Sequence, residues 1–246
     1  MTNQMVSCLT ATYGRFQVLC EAVTCFVNQD YDNKELIILN NHPEPLYCNL
    51  PQVTINNESG YMTLGDCRNR LLELAKGEFV RTWDDDDLYM PWAISQGVEH
   101  VGDSVAWKPQ YGWGWRLDKD QLYLSGNKYE AAWTTRTDIA KRFGYISKSG
   151  GNEHNSLENG INSLGGILKG NVKPSYVYRW GSGLCRISGS LNKNDLSEET
   201  TLKRTERWMN LNNDSGDGTI FLVDLSKYWS RIESEYNLIK EKYELD

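Results

Sequence analysis

Four consecutive apolar residues, Leu36-Ile37-Ile38-Leu39 in the segment "ELIIL", constrain this chain more than any other feature. Side chains of a strand alternate between its two faces, so a strand that is apolar at every position is covered on both. The flanking pattern says by what. "MVSCL" (5–9) reads as a strand ahead of it, and Phe16, Leu19, Val23, Phe26 and Val27 between the two recur at helical spacing, which predicts a helix over about 16–28. "VTI" (53–55) is a third strand. Thr63 with Asp66 three residues on resembles a capping box and opens a helix through "LGDCRNRLLELA" that stops at Gly77. "EFVRTW" (78–83) is the next strand, and Pro91 suits the first turn of a helix over about 91–101. Strands alternating with helices build an α/β sheet of parallel strands, whose ligands bind outside the carboxyl ends.

Four aspartates, residues 84–87, follow directly on the "EFVRTW" strand and so stand at such an end. Two unit charges about 4 Å apart repel by roughly 1 kcal/mol in water and roughly 4 kcal/mol at an effective dielectric of 20. A pocket holding this run needs a cation; otherwise some carboxyls protonate or the run faces open solvent. Its place at the strand end favours the cation.

The second half is less regular. "VAWKPQYGWGW" (105–115) and "QLYLSGN" read as extended, "TDIAKRFG" (137–144) as a short helix, "GGNEHNSLENGINSLGG" as a glycine-rich loop leading into another helix, and "SYVYRW" (175–180) as a strand. Beyond Ser197 the composition turns charged, with "TIFLVDL" as a strand and "SKYWSRIESEYNLIKEKYELD" as a last helix. At 246 residues and 39% hydrophobic, the chain suits one sizeable core, alone or with a small appended unit. A net charge of -7 disfavours nonspecific attraction to nucleic acid or anionic membrane. No apolar run approaches the roughly 18 residues that span a bilayer, and "MTNQMVSCLTATYG" lacks the layout of a signal peptide, which makes the cytoplasm the expected compartment. The six cysteines include no C-x-x-C pair and read as free thiols, mostly buried, and the three scattered histidines do not suggest zinc.

From about residue 5 to 91 these motifs follow the order of a known family. "VSCLTATYGRFQVLCEAVTCFVNQDYDNKELIILNN" resembles the opening of the family-two-type inverting glycosyltransferases: a strand, a loop like T-Y-N-R, a helix ending in Q-x-Y, then E-L-I-I. "GDCRNRLLELAKGEFVRTWDDDD" resembles the continuation A-R-N to G-E-x-[IV] and on into D-x-D-D. The resemblance implies the GT-A fold, a Rossmann-like mixed sheet with helices on both faces, plus a C-terminal helical extension. It divides the chain into a GT-A domain over 1–195, with a nucleotide-sugar half (1–102) and an acceptor half (103–195), and an α/β extension over 196–246. It also implies transfer of a sugar from a nucleotide diphosphate sugar to an acceptor hydroxyl.

In that family the Asp-x-Asp motif holds a divalent cation, Mn²⁺ or Mg²⁺, that bridges the donor's phosphates, and hard carboxylate oxygens suit such an ion. The carry-over makes Asp86 the closest metal ligand and Asp84 a contact to ribose or metal. Asp85 falls within the same substrate-binding stretch, with its side chain turned out to solvent. Thr10, Thr12, Arg15, Asn41, Asp66 and Arg68 become nucleotide contacts. The family has an aspartate at the end of "ELIIL" to accept from uracil; Asn40 and Asn41 stand here, and an amide both donates and accepts, so other bases are allowed. Where the family places Glu-Asp, with the aspartate as catalytic base, this chain has Glu153-His154, and either side chain can serve. Where relatives carry a metal-completing histidine, Cys185 and Arg186 stand; Arg186 would set its charge against the diphosphate, and metal retention without nucleotide would be weaker. Trp113, with Tyr111 and Trp115 on one strand face, would either stack on an acceptor or pack in the core.

Two rivals remain at this point. Sugar nucleotidyltransferases share a related fold but carry a G-G-x-G-T-R loop where this chain has "TATYGR". A non-catalytic nucleotide-sugar-binding module fits the departures at Asn41, His154 and Arg186. The acceptor is a saccharide or, as in bacteriophage enzymes of this kind, a modified DNA base, for which Arg136, Lys141, Arg142 and Lys148 would line a groove. Tyr176 stands where the Q-x-x-R-W of processive membrane synthases needs glutamine.

Overall fold

The structure, a computed structural model, describes residues 4–116, 119–126, 128–148, 152–180 and 217–245. Its centre is strand β1 (Val6–Thr12), parallel on one side to β2 (Lys34–Asn40) and on the other to β4 (Phe79–Thr82). Beyond β2 lies β3 (Val53–Asn57), also parallel. Beyond β4 the sheet reverses: β9 (Thr134–Arg136) is antiparallel to β4 and to β6 (Ala106–Pro109), and β10 (Leu168–Gly170) closes the edge parallel to β6. The order β10-β6-β9-β4-β1-β2-β3 makes a seven-stranded mixed sheet, where alternation alone predicted a parallel one. A second sheet of four strands has the order β5-β11-β7-β8, from β5 (Leu88–Tyr89), β11 (Tyr176–Trp180), β7 (Tyr111–Arg116) and β8 (Gln121–Gly126).

The two-sided burial read from "ELIIL" holds residue by residue. Leu36 and Ile38 of β2 join Val6 and Cys8 of β1 in one apolar cluster, beneath α1 (Phe16–Val27) and α3 (Ala93–Val101). Ile37 and Leu39 join Leu9 in a second, beneath α2 (Leu64–Leu74), α4 (Thr137–Phe143) and α5 (Asn155–Ser163). The Thr63 cap forms as expected, its hydroxyl accepting from Asp66 N at 3.2 Å and donating to the Asp66 carboxylate at 2.7 Å. The cysteines among the described residues are free, and burial pushes the Cys8 and Cys25 thiols up to about 12 and those of Cys20 and Cys67 to about 11, which suppresses their nucleophilic form.

One expected strand fails. "TIFLVDL" forms only a bridge from Thr219 to Tyr47 and then runs over α1, where Val223 N donates to Thr24 Oγ1 at 3.0 Å and Phe221 meets Phe16. Of its apolar residues Ile220 and Leu225 are buried while Phe221 and Leu222 stay exposed, so the run packs in part against a helix and forms no ladder. The C-terminal helix forms over Ser226–Ile239, shorter than the segment read to residue 246, and Ile232 and Tyr236 join the α1 cluster. Residues 196–216 of the expected extension, with Cys185 and Arg186, lie outside the described residues.

Gly65 sets how closely α2 approaches the 146–148 segment. A Cβ there would stand 1.9 Å from the Ile146 carbonyl oxygen, and Gly65 N donates to Lys148 O at 3.0 Å. Gly65→Ala is therefore expected to cost about 1–3 kcal/mol of stability in urea denaturation, despite alanine's helix preference of about 1 kcal/mol over glycine. A neutral or stabilised variant would show that the contact is not made.

Candidate active site

The acidic run is a tight loop between two aromatic anchors. Trp83, fully buried, stacks on Tyr89 at 3.7 Å between centroids, and its indole donates to Ala22 O at 2.9 Å. Thr10 Oγ1 donates to Trp83 O at 2.6 Å, and Asp84 N donates to the Tyr89 hydroxyl at 2.6 Å. Both ends of the loop are thus tied to the core, and the aspartates are presented at the carboxyl end of β4.

Three arginines from distant parts of the chain answer those carboxylates. Arg15, at the start of α1, donates Nε to Asp85 Oδ2 at 3.1 Å and Nη1 to Asp86 Oδ2 at 2.6 Å, and pairs through Nη2 with Asp85 Oδ1. Arg68 of α2 donates Nη2 to Asp84 at 2.9 Å and Nη1 to Glu130 at 2.7 Å and Glu153 at 3.1 Å, one guanidinium among three carboxylates. Arg179 of β11 donates Nε to the Asp86 carbonyl and its backbone N to Asp87 Oδ1, both at 2.7 Å, and pairs with Glu21 of α1. The Tyr176 hydroxyl donates to Asp87 Oδ2. Burial works against the Arg68 charge, but Glu130, Asp84 and Glu153 outweigh it and its pKa rises well above the ordinary value. Burial also raises the Asp84 carboxyl, and raises Asp85 to about 7 against the pull of Arg15.

The model of the glycosyl transferase family 2 matches residues 7–143, more than half of the chain, including the acidic loop with Arg15 and Arg68 but not Arg179. The chain belongs to that family. A putative colanic acid biosynthesis glycosyl transferase, WcaA of Escherichia coli K12, is 32% identical over 109 residues, 40% of this chain and 38% of that protein. An uncharacterized protein of Haemophilus influenzae is 37% identical over 95 residues, 34% of this chain and 51% of that one. The chain spans about half the length, or less, of these curated relatives. Among solved structures, Staphylococcus aureus TarS 1-349 in complex with UDP-GlcNAc superposes with a TM-score of 0.61 at 14% identity over 94% of this chain and 71% of that one. The mannosyltransferase PcManGT of Pyrobaculum calidifontis, in complex with GDP-Man and Mn²⁺, gives 0.56 at 12% identity over 99% and 83%. These likenesses show the GT-A fold.

Set on this family frame, the residues named from sequence divide into those the loop gathers and those spent elsewhere. Asp84, Asp86, Arg15, Arg68 and Glu153 come together. Asp85 does not turn outward: it is fully buried, accepting from Thr12 Oγ1 at 2.6 Å as well as from Arg15, because a bidentate arginine and a hydroxyl replace its water. Thr10 and Thr12 spend their hydroxyls inside the protein. Asn41 clamps the Tyr61 main chain, donating to Tyr61 O at 2.9 Å and accepting from Tyr61 N at 3.0 Å. Asp66 is engaged at the α2 cap, where Thr63 and Ser147 hold its carboxyl below the usual range. Of the two readings of Trp113 the core one holds and its place among the substrate contacts is corrected: only 2% exposed, it packs in the α1 cluster. Glu153 is buried and paired with Arg68, whereas His154, at the start of α5, keeps 21% side-chain exposure with its ring edge-on to Trp133. Of the basic residues considered for a nucleic-acid groove, Lys141 donates to Ala75 O, Arg136 pairs with Asp138, and Arg142 lies over Phe143.

Sequence reasoning missed Glu130. Its carboxylate accepts from Arg68, from Thr82 Oγ1 at 2.6 Å and from the Tyr145 hydroxyl, and it is the buried hub joining β4, α2 and the segment after α4. A lone acid in "KYEAAW" has no spacing that would single it out. Arg179 was likewise hidden inside a strand pattern.

Among the described residues no group of three or more His, Cys, Asp or Glu side chains is arranged to hold a metal. The donor chemistry nevertheless fits: Asp84 and Asp86 keep side-chain exposures of 32% and 16%, while Asp85 has none. A Mg²⁺-like ion is commonly bound by one or two carboxylates plus substrate phosphates rather than by an all-protein cage.

Removing Glu130 strips Arg68 of one carboxylate and leaves Thr82 and Tyr145 without their acceptor. Glu130→Ala is expected to cost about 3 kcal/mol in urea denaturation, and Glu130→Gln, which keeps an acceptor oxygen, distinctly less. Equal losses for the two would place the effect in packing rather than in the network.

Proposed function

We propose that this chain transfers a sugar from a nucleoside diphosphate sugar to an acceptor hydroxyl, dependent on a divalent cation and with inversion at the anomeric carbon. The observation that carries the proposal is the Asp84–Asp86 pair, held open at the carboxyl end of β4 by Arg15 and Arg68 in a chain of glycosyl transferase family 2. The structures of TarS with UDP-GlcNAc and of PcManGT with GDP-Man and Mn²⁺ support the donor class. Mn²⁺ or Mg²⁺ at this pair would stabilise the charge that grows on the departing diphosphate.

In this reading His154 is the general base. It takes the proton of the acceptor hydroxyl as that oxygen attacks the anomeric carbon, the new glycosidic bond forms, and the bond to the diphosphate oxygen breaks. Proton removal from a reacting hydroxyl by a positioned imidazole is a common form of general-base catalysis. Glu153, already bonded to Arg68, positions the loop and leaves proton removal to its neighbour. Arg68, held by Glu130 and Glu153, keeps Asp84 aimed at the site. The acceptor class in this proposal is a saccharide hydroxyl. Among the described residues no helix is long and apolar enough to cross a membrane.

The test is release of nucleoside diphosphate from UDP-GlcNAc or GDP-mannose in the presence of Mn²⁺ and a panel of saccharide acceptors. Release that depends on acceptor is expected; donor binding with no release across the panel would favour a binding module. His154→Ala is expected to lower turnover by about 10²–10⁴-fold with donor affinity kept. Unchanged turnover would move the base elsewhere.

A further inference from the structure

The loop carries an unusual conflict. Asp86, the carboxylate that the family resemblance makes the closest metal ligand, already has a cation: the Arg15 guanidinium, with Nη1 2.6 Å from Asp86 Oδ2. Arg15 is not free to drift away, because its other edge is fastened to Asp85 through Nε at 3.1 Å and through Nη2. Asp85 is in turn fixed by Thr12 and has no solvent exposure. The Asp85-Asp86 peptide therefore offers the same arginine two carboxylates, one sealed and one partly open.

We propose that Arg15 is the resident counter-cation of Asp86, and that it makes occupation of this site by a divalent ion conditional on a diphosphate. The inference rests on the functional reading above and deepens it. An ion on the Asp86 carboxylate without further anions stands within a few ångströms of a fixed positive charge and is repelled by it. A diphosphate supplies negative oxygens to both, so ion and nucleotide each raise the other's affinity, by the same factor in either order of addition. Arg68 makes a weaker version of this contact at Asp84, since two further carboxylates share its charge.

The experiment measures Mn²⁺ binding from the spin-resonance signal of the free ion, with and without UDP or GDP, on the full chain and on Arg15→Gln and Arg15→Lys. In the unaltered protein the nucleotide is expected to tighten Mn²⁺ binding by about 30-fold or more. Arg15→Gln is expected to bind Mn²⁺ alone about tenfold tighter than the unaltered protein and to lose about tenfold of the nucleotide's enhancement. Arg15→Lys, which keeps the charge but not the fork that joins Asp85 and Asp86, is expected to fall between the unaltered protein and Arg15→Gln on both counts. A natively folded Arg15→Gln that binds Mn²⁺ alone no more tightly overturns the proposal. So does an unaltered protein that binds Mn²⁺ equally well with and without nucleotide, a result that needs no variant to fold. Absence of any UDP or GDP binding would instead remove the donor reading, while the metal-only comparison would still decide the role of Arg15.

Discussion

Four adjacent carboxylates at the mouth of a sheet must be compensated, and the architecture around β4 is organised by that need. The compensation comes as guanidinium groups from the β1–α1 loop, from α2 and from β11, elements far apart in the chain. A bidentate arginine satisfies two carboxylate oxygens at fixed geometry, which a lysine would not. Each aspartate thereby acquires a separate task. Asp87 ties the loop to the second sheet through Tyr176 and Arg179, Asp85 anchors Arg15, and Asp84 and Asp86 keep partial exposure.

The loop is also coupled to parts of the molecule remote from it. Arg179 contacts the Asp86 carbonyl and Glu21 at once, and Glu21 accepts from the Tyr228 hydroxyl of the C-terminal helix at 3.3 Å. Tyr228 lies edge-on to Trp115 of the second sheet. The C-terminal helix is therefore part of the support beneath the acidic run. Glu21 is the joint: it sits on α1, whose first turn follows Arg15, so one helix holds both the arginine that meets Asp86 and the carboxylate that steers Arg179.

Much of this was legible in the sequence where local periodicity and burial coincide. The β1–α1–β2 unit, the Thr63 cap and β4 were read within a few residues because their apolar patterns and caps are self-contained. The reversal of β9 was not, since a three-residue strand with two threonines carries no periodicity that distinguishes direction. "TIFLVDL" misled because an apolar run that packs in part against a helix reads in sequence like one in a ladder. At the site, the arginines and aspartates stood out by motif, but the side-chain partners did not. Asn41 was expected to address a base and instead mimics a main-chain partner for Tyr61, an arrangement that requires knowing where the 57–63 loop returns. Asp85 was expected in solvent because nothing in the sequence says that Thr12 and Arg15 converge on it.

The remaining imbalance gives the site its chemical character. Among the described residues, Glu21, Asp84, Asp85, Asp86, Glu130 and Glu153 accept from the guanidinium groups of Arg15, Arg68 and Arg179, and Asp87 accepts from the Arg179 main chain. Phenols absorb part of the difference: Tyr145 and Tyr176 donate to Glu130 and Asp87, and burial raises their pKa values well above the ordinary phenol, so they remain neutral donors. Burial also opposes the charge of Asp84 and Asp85 and raises both carboxyls. Among the described residues carboxylates outnumber guanidinium groups here, and each of these carboxylates is hydrogen-bonded. An entering cation then competes with an arginine at Asp86, and a ligand that brings its own anionic oxygens alongside the cation meets the smallest electrostatic penalty.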